Sequence, residues 1–203
     1  MGKQVYISAD YSIDSGDREV VETLKRWAKD NLHIVDFIDM AEVKSGSVSM
    51  SDDCRICDLK KEFNSQINAS SAVIFVVGDK TARREAGTRC NRCNKGQFEC
   101  YCTPYKQNTN GEKMCKVAVT TPASAEGDCG HINSWSYLRH EFEQAKKRKK
   151  KIIIIYNSLR NENEWFPSYM KGYEGVATPF WTRNQYGQKV GNYLHIKKEL
   201  GYE

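Results

Sequence analysis

The stretch SYLRHEFEQAKKRKKKIIIIY, Ser136–Tyr156, decides the fold. Leu138, Phe142 and Ala145 recur at i, i+4 and i+7, the spacing that puts three apolar side chains on one helix face. Glu141 lies in the neighbouring stripe with Tyr137 and Gln144, at the edge of that face. Glu143 points roughly 140° from Leu138 at about 100° per residue and is expected in solvent. His140, which cannot face the same way as Glu141, reads as a surface residue. The basic run Lys146–Lys151 suits a helix C-terminus, where cations complement the macrodipole. Four isoleucines without alternation follow, the mark of a strand covered on both faces and too short a run to span a bilayer. A helix therefore feeds a central strand.

Upstream the same alternation appears twice. Gln4–Ser8 reads as a first strand ended by Ala9-Asp10-Tyr11, and a helix opened by Asp17 follows with Val20, Val21, Leu24, Trp27 and Ala28 on one face. His33–Ile38 is a second strand closing at Asp39, and residues 40–53 are polar, a loop long enough to be functional. Cys57–Asn68 is a second helix with Leu59, Phe63 and Ile67 in step. Ala72–Val77 is a third, fully buried strand ended by Gly78-Asp79-Lys80-Thr81. Downstream, Val176–Trp181 is expected as a fifth strand and Lys189–Leu200 as a closing helix stopped by Gly201. Strands alternating with helices imply an α/β, flavodoxin-like doubly wound sheet of five parallel strands in the order 2-1-3-4-5.

At 203 residues the chain suits one domain spanning 1–203, with residues 84–134 as a Cys-rich insertion between strand three and the following helix. Thirty-one basic against 26 acidic side chains give a net charge of +5, a mild excess that permits nucleic acid without indicating it. The beginning of the chain enters a strand at once and carries no apolar leader, so a cytoplasmic protein with no membrane association is expected. Eight cysteines in such a protein are read as packing, metal ligands or thiols before disulfides. The insertion holds Cys90-x-x-Cys93, Cys100-x-Cys102, Cys115 and Cys129, and Cys54-x-x-Cys57 precedes it. Cys90, Cys93, Cys100 and Cys102 form the most economical tetrahedral zinc site, with Cys115 and Cys129 as alternates. Such a zinc would be structural, ordering a segment poor in apolar residues.

Val5-Tyr6-Ile7-Ser8, Phe37-Ile38-Asp39, Leu59-Lys60-Lys61-Glu62-Phe63, Asn68 to Val77, and Tyr137 to Phe142 running into Lys151 to Ile155 together resemble the TIR domain family. The likeness is closest to the bacterial branch that includes the TIR enzymes of Thoeris anti-phage systems, and it covers about residues 4–82 and 135–156. In enzymatic TIR domains the fourth residue after a Trp at the helix start is the Glu required to split NAD+. The resemblance assigns that role to Glu141, with Tyr137 at the Trp position and Trp135 two residues earlier. It implies NAD+ as substrate. Ligands of doubly wound sheets bind beyond the carboxyl ends of the strands, and the 2-1-3-4-5 order places Ser8–Tyr11 beside Gly78–Thr81 there, so Ser8, Ala9, Asp10, Tyr11, Asp39, Asp79 and Tyr137 are the expected substrate-binding residues. The resemblance also implies homo-oligomeric assembly and a nucleotide product able to activate a downstream effector.

One carboxylate suffices for that chemistry. An ordinary glycoside needs two, because its leaving group must be protonated. The nicotinamide of NAD+ is already a cation and departs neutral, so a single Glu steadying the ribose oxocarbenium is enough, and the acceptor fixes the product as ADP-ribose, a cyclic isomer or a base-exchange product. Two alternatives share the sequence features: a catalytically silent TIR adaptor acting by homotypic assembly, and a nucleoside deoxyribosyltransferase.

Overall fold

The structure, a computed structural model, describes residues 3–10, 16–29, 35–39, 52–86, 102–107, 113–117 and 128–202. In chain order the elements are β1 (Lys3–Ala9), α1 (Asp17–Trp27), β2 (Val35–Asp39), α2 (Asp52–Ala69), β3 (Ala72–Val77), β4 (Cys102–Gln107), β5 (Lys113–Val117), α3 (Tyr137–Lys147), β6 (Lys151–Tyr156), β7 (Thr178–Pro179), β8 (Trp181–Arg183), β9 (Lys189–Gly191) and α4 (Tyr193–Leu200). They divide into two compact units, one made of Met1–Met40, Ala69–Arg84 and Ala145–Glu203, the other of Ala41–Asn68 and Glu85–Gln144.

The first unit is built on a five-stranded sheet of order β2-β1-β3-β6-β7, every neighbouring pair parallel. This is the expected 2-1-3-4-5 order of an α/β sheet. Val5 lies opposite Phe37 and Ala72, Ile74 opposite Ile7 and Ile153, and Val77 opposite Tyr156. All six residues of β3 are buried, as are Ile153–Tyr156 of β6, so both alternations of these strands are covered. One alternation, Val5, Ile7, Ala9, Ile74, Val76, Ile153 and Ile155, packs with Val20, Val21 and Leu24 of α1 and Ile196 and Leu200 of α4 in a single apolar core.

The ends of the elements show why they stop. Lys149 takes φ 53°, while Lys149 N–H donates to Lys146 O and Lys150 N–H to Ala145 O. That is a Schellman ending with lysine where glycine is usual. Lys150 Nζ then reaches Ser70 O at 2.7 Å, and Lys151 Nζ pairs with Glu199 at 3.2 Å. The basic run thus turns the chain from helix into strand. At the far end, Gly201 at φ 74° closes α4 with the same pair of bonds, Gly201 N–H to Lys198 O and Tyr202 N–H to Lys197 O.

Three elements differ from the sequence reading. The helix expected over 189–200 starts only at Tyr193, because the Asn192 side chain accepts from His195 N–H and caps it. Lys189–Gly191 instead pairs with Trp181–Arg183 as an antiparallel hairpin. The fifth strand is confined to Thr178–Pro179, since proline has no N–H to carry the ladder on. And α2 begins at Asp52, five residues before the expected start.

In the second unit, α2 and the first two turns of α3 enclose a partly polar interior, and β4 and β5 form an antiparallel pair within the segment read as an insertion. Among the described residues no helix is long and apolar enough to cross a membrane.

Candidate functional site

Two places gather chemistry-bearing side chains, one in each unit. The first is the carboxyl edge of the sheet, where β1, β3 and β6 end side by side. In an open parallel sheet this edge, at the point where strand order reverses, is where ligands bind. Here β1 lies between β2 and β3, which places the reversal beside Asp10.

Asp10 follows β1 and is buried, with Oδ1 3.4 Å from Nε of Arg84. Burial pushes its carboxyl above the ordinary value, more than the opposing Arg84 and Lys80 charges pull it down, and Asp79 adds to the rise. Asp17, at the first turn of α1, is wholly buried and accepts from Asn157 Nδ2 at 2.7 Å. Gly78 follows β3 in the space that remains, since a Cβ there would come within 2.6 Å of Asp17 Oδ1. Its N–H donates to Thr81 Oγ1 at 2.9 Å. Asn157, the first residue after β6, donates its own N–H to Val77 O at 2.9 Å. The ends of three strands are therefore tied into one polar edge.

Of the residues expected here, Asp10 and Asp79 come together, with Asp79 exposed. Ser8 and Ala9 are wholly buried inside β1. Asp39 ends β2 opposite Ile7, and Tyr11 lies outside the described residues. Asp17, Gly78, Arg84 and Asn157 were not singled out. The rule that would have found two of them is simple: the residue just past each parallel strand stands on the ligand edge, which selects Asp10, Gly78 and Asn157 alike.

The second place is the seam between α2 and α3. Ser136 caps α3, its Oγ accepting from Arg139 N–H at 3.1 Å. The helix then presents two buried stripes. Leu138, Phe142 and Ala145 form the expected apolar one, while His140, Glu141 and Gln144 form a second, all at most 1% exposed. The expectation of a surface His140 is corrected. Its ring is 0% exposed and its Nε2 stands 2.9 Å from Asn64 Oδ1, because a second helix covers that side of α3. Glu141 is likewise wholly buried, and Glu143 is half-buried rather than fully solvated. Tyr137, half-buried, meets Phe63 edge-on at 5.5 Å.

Asp128 is the hub of this seam. Its Oδ1 accepts from Gly130 N–H at 2.7 Å, its Oδ2 from Gln144 Nε2 at 3.0 Å, and its carbonyl from Asn64 Nδ2 at 2.5 Å. The last bond fixes the Asn64 amide with Oδ1 toward His140, so Nε2 of the imidazole carries the proton. Gly130 has φ 59°, and a Cβ on it would lie 3.0 Å from Trp135 and 3.1 Å from His140 Nδ1. Lys60 is wholly buried, with Nζ 3.4 Å from His131 O and 3.3 Å from Trp135 O. A carboxylate in such surroundings interacts with a developing cation far more strongly than it would in water.

Of the proposed zinc ligands, Cys90, Cys93 and Cys100 lie outside the described residues, and Cys102 and Cys115 stand in β4 and β5, whose side chains are likewise outside them. Cys129 is buried, its Sγ 3.6 Å from Cys57 O, in a small cluster with Ile56 and Ile132. Among the described residues no three His, Cys, Asp or Glu side chains converge to hold a metal ion. Compared with known proteins, the chain matches no family model and no curated protein.

Proposed function

We propose that the chain is a TIR-type NAD+ nucleosidase, of flavodoxin-like doubly wound fold, that releases nicotinamide and makes ADP-ribose or a cyclic isomer of it as a signal in anti-phage defence. The observation that carries the reading is the wholly buried Glu141, on the helix that leads into the fourth strand of a parallel sheet ordered 2-1-3-4-5. The family likeness assigns the essential carboxylate to that place in the chain. A buried polar helix seam is also an expensive thing to keep without a use, because each ionisable group in it has been taken out of water.

In the reaction the bond from the ribose anomeric carbon to the pyridinium nitrogen breaks, and its electron pair goes to the nitrogen, which leaves as neutral nicotinamide. Glu141 stabilises the oxocarbenium left behind. Water then adds and loses a proton to give ADP-ribose, or a nucleophile of the same molecule closes the ring. The product acts on a downstream effector. Homo-oligomeric assembly and a structural zinc held by Cys90, Cys93, Cys100 and Cys102 belong to the same reading.

The test is incubation of the purified protein, and of cells carrying it during phage infection, with mass analysis of NAD+ and its products for wild type and Glu141→Gln. The expected result is nicotinamide release by wild type, reduced by about 10²-fold or more in the variant. Activity equal in the two proteins overturns the assignment, and base exchange between nucleosides without loss of NAD+ replaces it with deoxyribosyl transfer.

A further inference from the structure

We infer that the amino edge of the parallel sheet is a docking surface for the phosphate backbone of a nucleic acid, and that Lys149 is one of the cations that meet it. The fold gathers the charge there. A helix that joins two parallel strands runs back against them, so its C-terminal end, where cations complement the macrodipole, arrives at the edge where the strands begin. The last turn of α1 carries Lys25 and Arg26, that of α3 Lys146 and Lys147, and that of α4 Lys197 and Lys198. Three contacts bring these ends together: Lys150 Nζ on Ser70 O, just before β3, Lys3 Nζ of β1 on Leu200 O of α4, and Lys151 Nζ of β6 on Glu199 of α4. Lys29, Arg148 and Lys149 add to the same edge. The described acids there are Asp36, opposite Gln4 at the start of β2, and Glu199, which Lys151 already pairs.

Lys149 is the residue that dipole and packing leave unexplained. Its φ of 53° lies in the left-handed region, which glycine enters without strain and lysine does not. The backbone bonds of the Schellman ending would be the same with glycine. The side chain is exposed, and among the described residues no partner holds its ammonium. A strained position that keeps a cation in water is explained by an anion from outside the chain. A nucleic-acid backbone fits better than a lipid surface, because stable anchoring on a bilayer couples a polybasic patch to an apolar group. The large exposed hydrophobics of the described residues stand elsewhere: Leu194 in the first turn of α4, Tyr186 and Val190 in the β8–β9 hairpin, Leu159 and Val176 in the connection that follows β6.

The inference stands apart from the nucleosidase reading and needs neither Glu141 nor NAD+. Its test is fluorescence anisotropy of a labelled DNA duplex of arbitrary sequence with the full chain, titrated over salt, for wild type, Lys149→Gly, Lys149→Glu and Arg83→Glu, alongside their denaturant midpoints. Wild type should bind with log K falling against log salt at a slope of about −3 or steeper, near 0.9 for each phosphate met. Lys149→Gly should unfold at a higher midpoint than wild type, yet bind about 3–10-fold more weakly at about 0.1 M salt, its slope reduced by about 1. Lys149→Glu should lose more. Arg83→Glu makes the same change in net charge at the opposite edge, in the exposed turn after β3, and should bind as wild type does. Absence of binding by wild type at about 50 mM salt overturns the inference. So does a Lys149→Gly protein that binds as wild type, or an Arg83→Glu protein weakened as much as Lys149→Glu. Capture by phosphatidylserine vesicles without affinity for the duplex assigns the edge to a membrane and overturns it too.

Discussion

The sheet core and the α2–α3 seam bury side chains by opposite means. In β3 every residue is Ala, Val, Ile or Phe, and the core around it is closed by the apolar faces of α1 and α4. In the seam the buried residues include Lys60, Asn64, Asp128, His140, Glu141 and Gln144. The sheet core is held by removal of apolar area from water, which is non-directional and tolerates some repacking. The seam is held by bonds with fixed partners, so each group is satisfied only while its neighbour stays in place. Lasting stability belongs to the first region. A cluster of ionisable groups kept dry belongs to the second, and such clusters concentrate where proteins do chemistry. The carboxyl edge of the sheet is a smaller instance of the second kind set at the rim of the first.

The contrast can be broken by substitution. Ile155→Ala removes a fully buried side chain of the sheet core, and a loss of about 2–5 kcal/mol is expected, seen as a lower denaturant midpoint at unchanged slope. Asp128→Ala deletes the hub of the seam while removing little apolar area. It strands Gly130 N–H and the Gln144 amide, for about 1–3 kcal/mol, and should also lower NAD+ consumption if the seam carries the chemistry. A seam variant that costs nothing would dissolve the distinction between the two regions.

The smallest effect lies at the sheet edge and concerns pH. Because burial raises the Asp10 pKa from its ordinary 3.8, the native protein holds that proton more tightly than the unfolded chain does. Its contribution to stability is therefore greatest below about 3.8 and falls as pH rises through the raised value. Asp10→Asn should accordingly be more stable than wild type at neutral pH, with the two midpoints converging in acid. A less stable Asn variant at neutral pH would mean that the Arg84 contact outweighs burial. A stabilised one that loses nucleotide affinity would mark Asp10 as a group kept for function.

Much of the sheet was legible in the residues. QVYIS, AVIFVV and IIII are short, β-branched and unbroken, and each became a strand because only a sheet covered on both faces hides such runs. The closing region was less so. Lys189–Gly191 is too short to carry a period of its own, and its pairing with Trp181–Arg183 depends on the turn that Asn184 and Gly187 make between them. The candidate site was legible only in part. Glu141 and Asp10, both buried, were singled out, the first by family likeness and the second by its place after a strand. Lys60, Asn64 and His140 were not, because on a single helix each reads as an ordinary polar residue.

What the sequence determined by itself was the main strands and helices of the parallel sheet and their order along the chain, since hydrophobic period and strand length are properties of consecutive residues. Which polar residues are dry was decided by tertiary structure alone. His140 left the surface because α2 came to lie against that side of α3, and Lys60, more than 70 residues away along the chain, came to touch the backbone at Trp135. A helix's covered arc depends on how many neighbours press on it, and the residues of one helix cannot state how many there will be.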